Sequence, residues 1–585
     1  MNQFILQTAV FPSEDVCTQA SLYFHSSTED IIYNDSTKLT VPKNEFVSFD
    51  TFFNAFSIYK WFKHTTIDNV GFYADVSGRG IATIYWVNGD NSRIIYQLEC
   101  TTGCYIEKLS LSELIDGRLY FHWHSLEPSV VTDFGFMTYS DTNPELRLAI
   151  VITTFNREQA VLSMLQRIHE KLLSDKTFGN RITLYVVNNG EDFSIPSFEN
   201  IVYLKSENFG GAGGFSRGLI EVKTRGREQF CLFMDDDASC EIESLKRTYH
   251  FLLFANKKEQ MIAGCMLYQE QPGLVYEAGA IYPYKQTRMQ PLKNGLDVSS
   301  PKGLDEFDLD DVPANYAGWW FCAFDVSAIK HYAFPFFVRG DDILFGVMHG
   351  YEIITLNGIA SWQMNFNRKY SAIVEYLSVR GLLVPAFVYP NYKKRLAIAY
   401  WVIAKVLLLC FSYRYSSARS IIEAYSDVLD GPDFWLADPD ALKARERIAA
   451  LAQDEIASLS ESDVTAEWVA GVSRETRWGK IIRLCLLNGH LVPSCFFLRK
   501  EKRISNTEIH PTRHVFLTGK VFYYNSDLQK YIFVVHSKRR FFGVLVMALK
   551  LIVRGFIKYP VVSSKYKDKV VFLTSESFWK RFFDK

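Results

Sequence analysis

What these 585 residues lack removes several classes of protein. Lys and Arg number 64 against 65 Asp and Glu, a formal net charge of −1. No global basic field is present to hold a nucleic acid, and no nucleic-acid partner is expected. The longest apolar stretch is `LAIAYWVIAKVLLLCF`, residues 396–411. It falls short of the roughly 18–20 residues that a spanning helix needs, and Lys405 interrupts it, so it reads as a buried or surface-lying helix. The opening `MNQFILQTAVFPSED` has no basic segment and too brief an apolar run for a secretory signal. Most of the ten cysteines sit inside apolar runs, as at Cys231, Cys322, Cys410 and Cys485, where they read as small core hydrophobes. Only Cys100 and Cys104 lie close together, and no second pair with zinc spacing follows. The location read from this is reducing and cytoplasmic. Neither a G-K-[ST] phosphate loop nor a G-x-G-x-x-G fingerprint occurs in the glycine-rich stretch.

What is present divides into three stretches. Hydrophobic residues make up 48% and aromatics 15%, a globular composition too long for a single core. Residues 1–145 read as β: `IATIYWVNG` and `SRIIYQLEC` flank the hairpin signal `NGDN`, and `GRLYFHWHSL` is a further strand. The expectation is a β-sandwich. From 146 to 370 apolar runs alternate with helical periods. `LAIVI`, `ITLYVV`, `IVYLKS` and `FCLFM` read as buried parallel strands, and Val161, Leu162, Leu165, Ile168 and Leu172 mark a helix. The fold class expected is α/β multidomain, with a Rossmann-like, mostly parallel central sheet. Residues 371–585 read as helical, including an exposed amphipathic helix over 438–463. The tail over 536–567 is apolar with cations at intervals, the pattern of a helix lying on a membrane surface or of a core helix with a basic outer face.

The chemistry concentrates where `FCLFM` runs into Asp235, Asp236 and Asp237. Three adjacent carboxylates repel one another unless something positive neutralises them. In an extended segment Asp235 and Asp237 point the same way and can face one cation. Oxygen-only ligation suits Mg²⁺ or Mn²⁺, which stabilises a diphosphate leaving group. A solvated turn is the plain alternative. `NFGGAGGFSRG`, with Gly210, Gly211, Gly213 and Gly214, follows a strand and opens a helix, which suits anion binding or tight strand–helix packing. In `FPFFVRGDDILFGVMHG`, Asp341 and Asp342 precede a helix, as a general base or as a helix N-terminal acid. Trp319 and Trp320 in `GWWFC` are core residues or a sugar-stacking pair.

Taken in order, `TTFNR`, `VVNNG`, `NFGGAGGFSRG`, `FMDDD`, `YEAG`, `GWWFC`, `GDD` and `GIASW` resemble the inverting GT-A glycosyltransferases of family GT2. Within that family they resemble the galactofuranosyltransferases that polymerise the mycobacterial galactan. `LTSESFWKRF`, residues 573–582, looks like the C-terminal signature of these enzymes. The resemblance implies an N-terminal β-sandwich, a GT-A domain and a helical C-terminal region. It implies that Arg157, Asn189, Asn208 and Asp236 serve the nucleotide donor, and that Asp235 and Asp237 hold Mn²⁺ or Mg²⁺. Glu277, Trp319 and Trp320 would line the sugar and acceptor region. Asp342 would be the catalytic base, helped by Asp341. The family has a histidine after the tryptophan that follows the catalytic helix; here Trp362 is followed by Gln363, a weaker oxygen ligand.

The implied activity moves a sugar, galactofuranose from UDP-galactofuranose, onto a growing polysaccharide or lipid-linked glycan at the inner face of the membrane. Peripheral membrane contact and a homo-oligomer are left open as further partners. The competing readings are a transferase for another UDP- or dTDP-linked sugar, a catalytically silent glycan-binding protein, and a nucleotidyltransferase.

Overall fold

The computed structural model describes residues 2–583 apart from 35–36, 112–113, 142–144, 197–199, 284–288, 310–311, 390–392, 465, 470–474, 498–499, 507 and 509–510. Residues 2–140 form two facing six-stranded sheets. The first is built around Ser129–Ser140, which pairs with Asn2–Thr8, Lys38–Val41 and Gly71–Ser77. The second is built around Arg118–Ser125, flanked by Phe46–Ser48 and Gly80–Asn88. The `NGDN` hairpin forms as read: Asn88 pairs with Asn91 and Gly89 takes φ 57. Between the sheets Phe49, Phe72, Phe121, Phe134 and Phe136 pack ring against ring, at centroid distances of 4.4–6.3 Å.

The central sheet has seven strands, in the order Ile201–Lys205, Ile182–Asn188, Leu148–Thr154, Phe230–Asp235, Phe321–Asp325, Gln260–Ala263, Glu352–Ile354. Its first four strands are parallel; Phe321–Asp325 is antiparallel to both neighbours. The apolar runs are continuous because each strand feeds two cores. Val151, Val187 and Phe233 face the helix Gly210–Arg225, whereas Ile150, Ile152, Val186 and Met234 share a core with Val161 and Leu165 of the helix Glu158–Ile168. A smaller sheet of Ser239–Cys240, Ala360–Gln363, Cys265–Tyr268 and Gln271–Glu277 stands beyond the strand ends.

The C-terminal stretch is mainly helical, with Ala372–Val388, Lys393–Phe411, Tyr415–Asp430 and the long Lys538–Leu573 packed together. It also holds a three-stranded sheet, Glu501–Ser505, Lys520–Asn525 and Lys530–Val535. The helix expected over 438–463 is a difference: its regular α-helix is confined to Leu442–Leu451. The chain leaves the helical path because Glu455 is needed elsewhere. Its carboxylate accepts from the backbone N–H groups of Ser416 and Ser417 at 2.7 and 3.2 Å, satisfying open donors at the start of Tyr415–Asp430. Among the described residues no helix is long and apolar enough to cross a membrane.

The sandwich is fixed to the α/β unit by a buried guanidinium. Arg118 donates to Asp50 at 2.6 and 3.1 Å and pairs with Asp305 of the helix Pro301–Asp308. Removing one member of such a buried cluster strands the others. Arg118→Met is therefore expected to destabilise the protein by about 3 kcal/mol or more, and denaturant unfolding checks it.

Candidate active site

The three carboxylates lie where the central strand gives way to a turn. Asp235 ends the strand Phe230–Asp235. The Gln363 amide N–H group donates to Asp235 Oδ2 at 3.2 Å and to Asp237 Oδ1 at 3.1 Å. Asp235 and Asp237 therefore share one amide partner. Asp236 accepts from Thr154 Oγ1 and Arg157 Nη1, each at 2.7 Å. Arg157 Nη1 also lies 2.8 Å from Asp237. Burial pushes the Asp236 carboxyl up, and the Arg157 guanidinium opposes that push. Gln363 is buried, and its carbonyl oxygen has no hydrogen-bond partner. Among the described residues no group of three or more His, Cys, Asp and Glu side chains converges on one point. The Gln363 amide thus turns its NH2 group toward Asp235 and Asp237 and its carbonyl oxygen away from them.

The glycine segment is built for close approach. A Cβ at Gly214 would overlap the Thr153 hydroxyl, one at Gly213 would overlap Phe209, and one at Gly218 would overlap Val151. These glycines seat the helix against the sheet. Gly210 takes φ 65, and its N–H donates to Asn208 Oδ1 at 3.1 Å. Asn189 Nδ2 donates to Thr153 Oγ1 and to the Gly210 carbonyl, both at 3.1 Å, leaving its own buried oxygen unpartnered. Asn189 and Asn208 thus hold the loop in shape. The C-terminal helix Glu576–Phe583 packs on it from behind: Trp579 and Phe582 meet Phe209, and Trp579 Nε1 donates to the Ala333 carbonyl at 2.9 Å.

A second acidic pair faces this loop. Phe337, Arg339 and Gly340 have φ of 74, 73 and 96°, and this left-handed run delivers Asp341 and Asp342 to the first turn of Asp341–His349. Such backbone strain collects at functional sites. A Cβ at Gly211 would lie 3.4 Å from Asp341 Oδ2. Burial raises both carboxyl groups, and Asp341 is raised further by the charges of Asp342 and Asp235. Arg339 pulls Asp342 back down. Glu277 ends the strand Gln271–Glu277, is buried with Oε1 unpartnered, and is held well above the usual carboxylate range by burial and by Asp342. Burial, then Glu277 and Asp342, raise the buried Tyr316 hydroxyl, which also has no hydrogen-bond partner.

The structure separates the two tryptophans. Trp319 is enclosed by Phe215, Phe233 and Phe345 at 5.0–5.4 Å and belongs to the core. Trp320 meets Tyr276 and Phe366, and its Nε1 donates to the Gly264 carbonyl at 3.1 Å. The sequence reading passed over Thr154, Tyr316 and Arg339. Arg339 lies two residues before the acidic pair, a visible signal; Tyr316 carries none until its unpartnered hydroxyl is seen beside Glu277.

Comparison with known proteins matches residues 149–302 to Glycosyl transferase family 2 and residues 6–138 to the family Galactofuranosyltransferase 2 N-terminal. The chain is a glycosyltransferase. It is 25% identical to galactofuranosyltransferase GlfT2 of Mycobacterium tuberculosis over 68% of this chain and 67% of that protein. It is 26% identical to GlfT2 of Mycolicibacterium smegmatis over 70% and 69%. Among solved structures, a mannosyltransferase of Pyrobaculum calidifontis in complex with GDP-Man and Mn²⁺ aligns with 54% of this chain and 87% of that one, at 12% identity and a TM-score of 0.27. That score carries no argument about the site.

Proposed function

We propose that this glycosyltransferase moves galactofuranose from UDP-galactofuranose to a glycan hydroxyl, inverting the anomeric centre. The observation that carries the reading is the meeting of two carboxylate sets in one crevice, Asp235 and Asp237 with Gln363, and Asp341 with Asp342, close enough that Asp235 acts on Asp341. The choice of sugar rests on the two curated relatives, both named galactofuranosyltransferases.

Asp342 is the base that takes the acceptor proton. Its raised pKa moves it toward the operating pH, where a carboxylate both stays ionised and accepts a proton effectively. Burial raises both carboxyl groups and the Asp342 charge raises Asp341 further, so the coupled pair resists carrying two negative charges. Glu277 and Tyr316 offer their unpartnered oxygens to acceptor hydroxyls. Trp320 closes the acceptor wall, and Trp319 supports it from the core. On the donor side, Asn189 and Asn208 shape the glycine loop for the diphosphate. Arg157 acts on the donor through Asp236 and Asp237.

Asp235 and Asp237 suit Mg²⁺ or Mn²⁺, and turning the Gln363 amide over would replace its NH2 group beside them with its unpartnered carbonyl oxygen. A divalent cation held there supplies charge neutralisation to the departing diphosphate. A silent glycan-binding protein is the weaker reading, because no member of either acidic pair is missing.

UDP release from UDP-galactofuranose, with a galactofuranose-terminated acceptor, tests the assignment. Wild-type protein is expected to release UDP and transfer the sugar, and Asp342→Asn to lose about 10²–10⁴-fold in kcat with donor KM little changed. Because the folded pKa of Asp342 is raised, activity should fall as pH drops through a value above the usual carboxylate range of about 4. Transfer only from a different nucleotide sugar would overturn the donor assignment.

The acceptor is proposed to be lipid-linked, and the chain to meet a membrane surface through Lys538–Leu573. Phe541, Val544, Ala548, Leu551 and Gly555 bury one stripe of that helix. Phe542, Val546, Leu549, Val553 and Ile557 expose a second apolar stripe on another side. The helix carries nine Lys and Arg against one Asp, the charge balance of an interfacial helix on anionic lipid. Co-flotation with anionic vesicles is expected, and Val553→Glu/Ile557→Glu should abolish it; a wild type that stays at the bottom of the gradient would refute the contact.

A further inference from the structure

The sandwich carries a surface that the transfer reaction does not use. Along Arg118–Ser125 burial alternates, and Tyr120, His122 and His124 point out of the sandwich. Register aligns them with outward residues on neighbouring strands. Tyr120 pairs with Tyr85, and Tyr85 with Ile94. In the adjoining row, His25 pairs with Ser48, Ser48 with His122, His122 with Thr83, and Thr83 with Gln97. One row is thus aromatic and aliphatic, and the next is imidazole, hydroxyl and amide, with Thr83 buried and its hydroxyl taken by Gln97.

The aromatic rings form a connected set. Tyr85 and Tyr120 stack at 5.2 Å, Tyr85 meets His122 edge-on at 5.7 Å, and Phe46 stacks on His122 at 5.0 Å. Phe46 and Ile94 are 40% and 47% exposed, too open for a finished core. Gln97 Nε2 donates to Thr83 Oγ1 at 3.2 Å, leaving its carbonyl side turned along the row. The charges at the border are paired: Asp50 with Arg118, and Glu99 with Arg79. Burial holds His122 down at about 4 and lowers His25, so the middle of the face is neutral at neutral pH.

A neutral face of aromatic rings beside hydroxyl, amide and imidazole groups matches the two sides of a sugar residue, its C–H face and its hydroxyl rim. An anionic polymer would want unpaired cations here, and an apolar protein partner would not need the polar row. The face also starts at the seam. Arg118, on the same side of the same strand as Tyr120, grips Asp305 of the helix Pro301–Asp308, which lies between Glu277 and Trp319 in the chain. Arg118 thus ties this face directly to the helix Pro301–Asp308 outside the sandwich.

We propose that the outer face formed by Phe46, Tyr85, Ile94, Gln97, Tyr120 and His122 is a non-catalytic binding site for the neutral glycan chain that the enzyme extends. This rests on the glycosyl-transfer reading for the identity of the chain. Tethering a long acceptor at a second point raises its effective concentration at the catalytic crevice without changing the chemistry.

The test uses the full-length protein and galactofuranose oligosaccharides of two and of about ten residues. The binding constants come from calorimetry, and transfer onto the disaccharide is measured separately. Wild type is expected to bind the long chain at least tenfold more tightly than the short one. Tyr85→Ala/Tyr120→Ala should remove that difference and leave kcat on the disaccharide unchanged. Tyr85→Phe/Tyr120→Phe, which keeps the rings, should retain most of it, and an unaltered melting temperature confirms that both variants fold. Equal affinity for long and short chains in wild type would overturn the site, as would a length preference that survives the double alanine variant. So would a face whose alanine variant instead dissociates a dimer, read by light scattering, since the occupant would then be a second copy. Failure of transfer from UDP-galactofuranose onto the disaccharide would refute the donor assignment alone, because it does not involve the sandwich.

Discussion

Three carboxylates at the end of one buried strand set the terms for the rest of the site. Like charges at this spacing raise one another's pKa unless opposite charge or hydrogen bonds meet them. Here Thr154 and Arg157 meet Asp236, Arg157 and Gln363 meet Asp237, and Gln363 meets Asp235. The cluster is thus held by protein groups from three different elements, and each is anchored by the fold. Thr154 closes the first parallel strand, Arg157 opens the following helix, and Gln363 ends a strand of the small sheet. The result is a compact cluster in which Asp237 shares Gln363 with Asp235 and Arg157 with Asp236.

The opposite wall follows a different logic. Asp341 and Asp342 are buried close together with Glu277 nearby, and nothing of comparable positive charge answers them except Arg339. Their pKa values rise in consequence. One acidic group is compensated by neighbouring donors, and the other is left largely uncompensated and raised. Holding the second in place takes a strained loop, with left-handed φ at Phe337, Arg339 and Gly340. Gly340 approaches Gly381 so closely that a Cβ on Gly340 would meet that backbone.

Much of this was legible in the sequence because it depends on period and order. The i, i+2 spacing of Asp235 and Asp237 predicts a shared side, and the structure gives them a shared partner. Apolar runs long enough to be buried on both faces predict a parallel sheet, and alternate residues indeed serve two cores. Less was legible where partners come from afar. Nothing local in `DPDALKARERIAALAQDEIASLSESD` says that Glu455 must leave its helix to satisfy Ser416 and Ser417. The strands at 501–535 alternate too briefly to stand out among the helices around them. `GWW` looks like a matched pair, yet Trp319 packs in the helix-side core and Trp320 meets Tyr276 of the small sheet. Arg157 follows the first strand as expected of a donor-binding residue, but its partners here are the carboxylates.

The central claim is that the carboxylates and Gln363 form a divalent-cation site completed by a nucleoside diphosphate. Mn²⁺ binding followed by electron paramagnetic resonance, with and without UDP, tests it most directly. The account predicts one Mn²⁺ per chain, bound more tightly with UDP, lost in Asp235→Asn and Asp237→Asn, and strengthened in Gln363→His, where nitrogen replaces a weak amide oxygen. Mn²⁺ binding that ignores UDP and survives both Asp→Asn changes would contradict it.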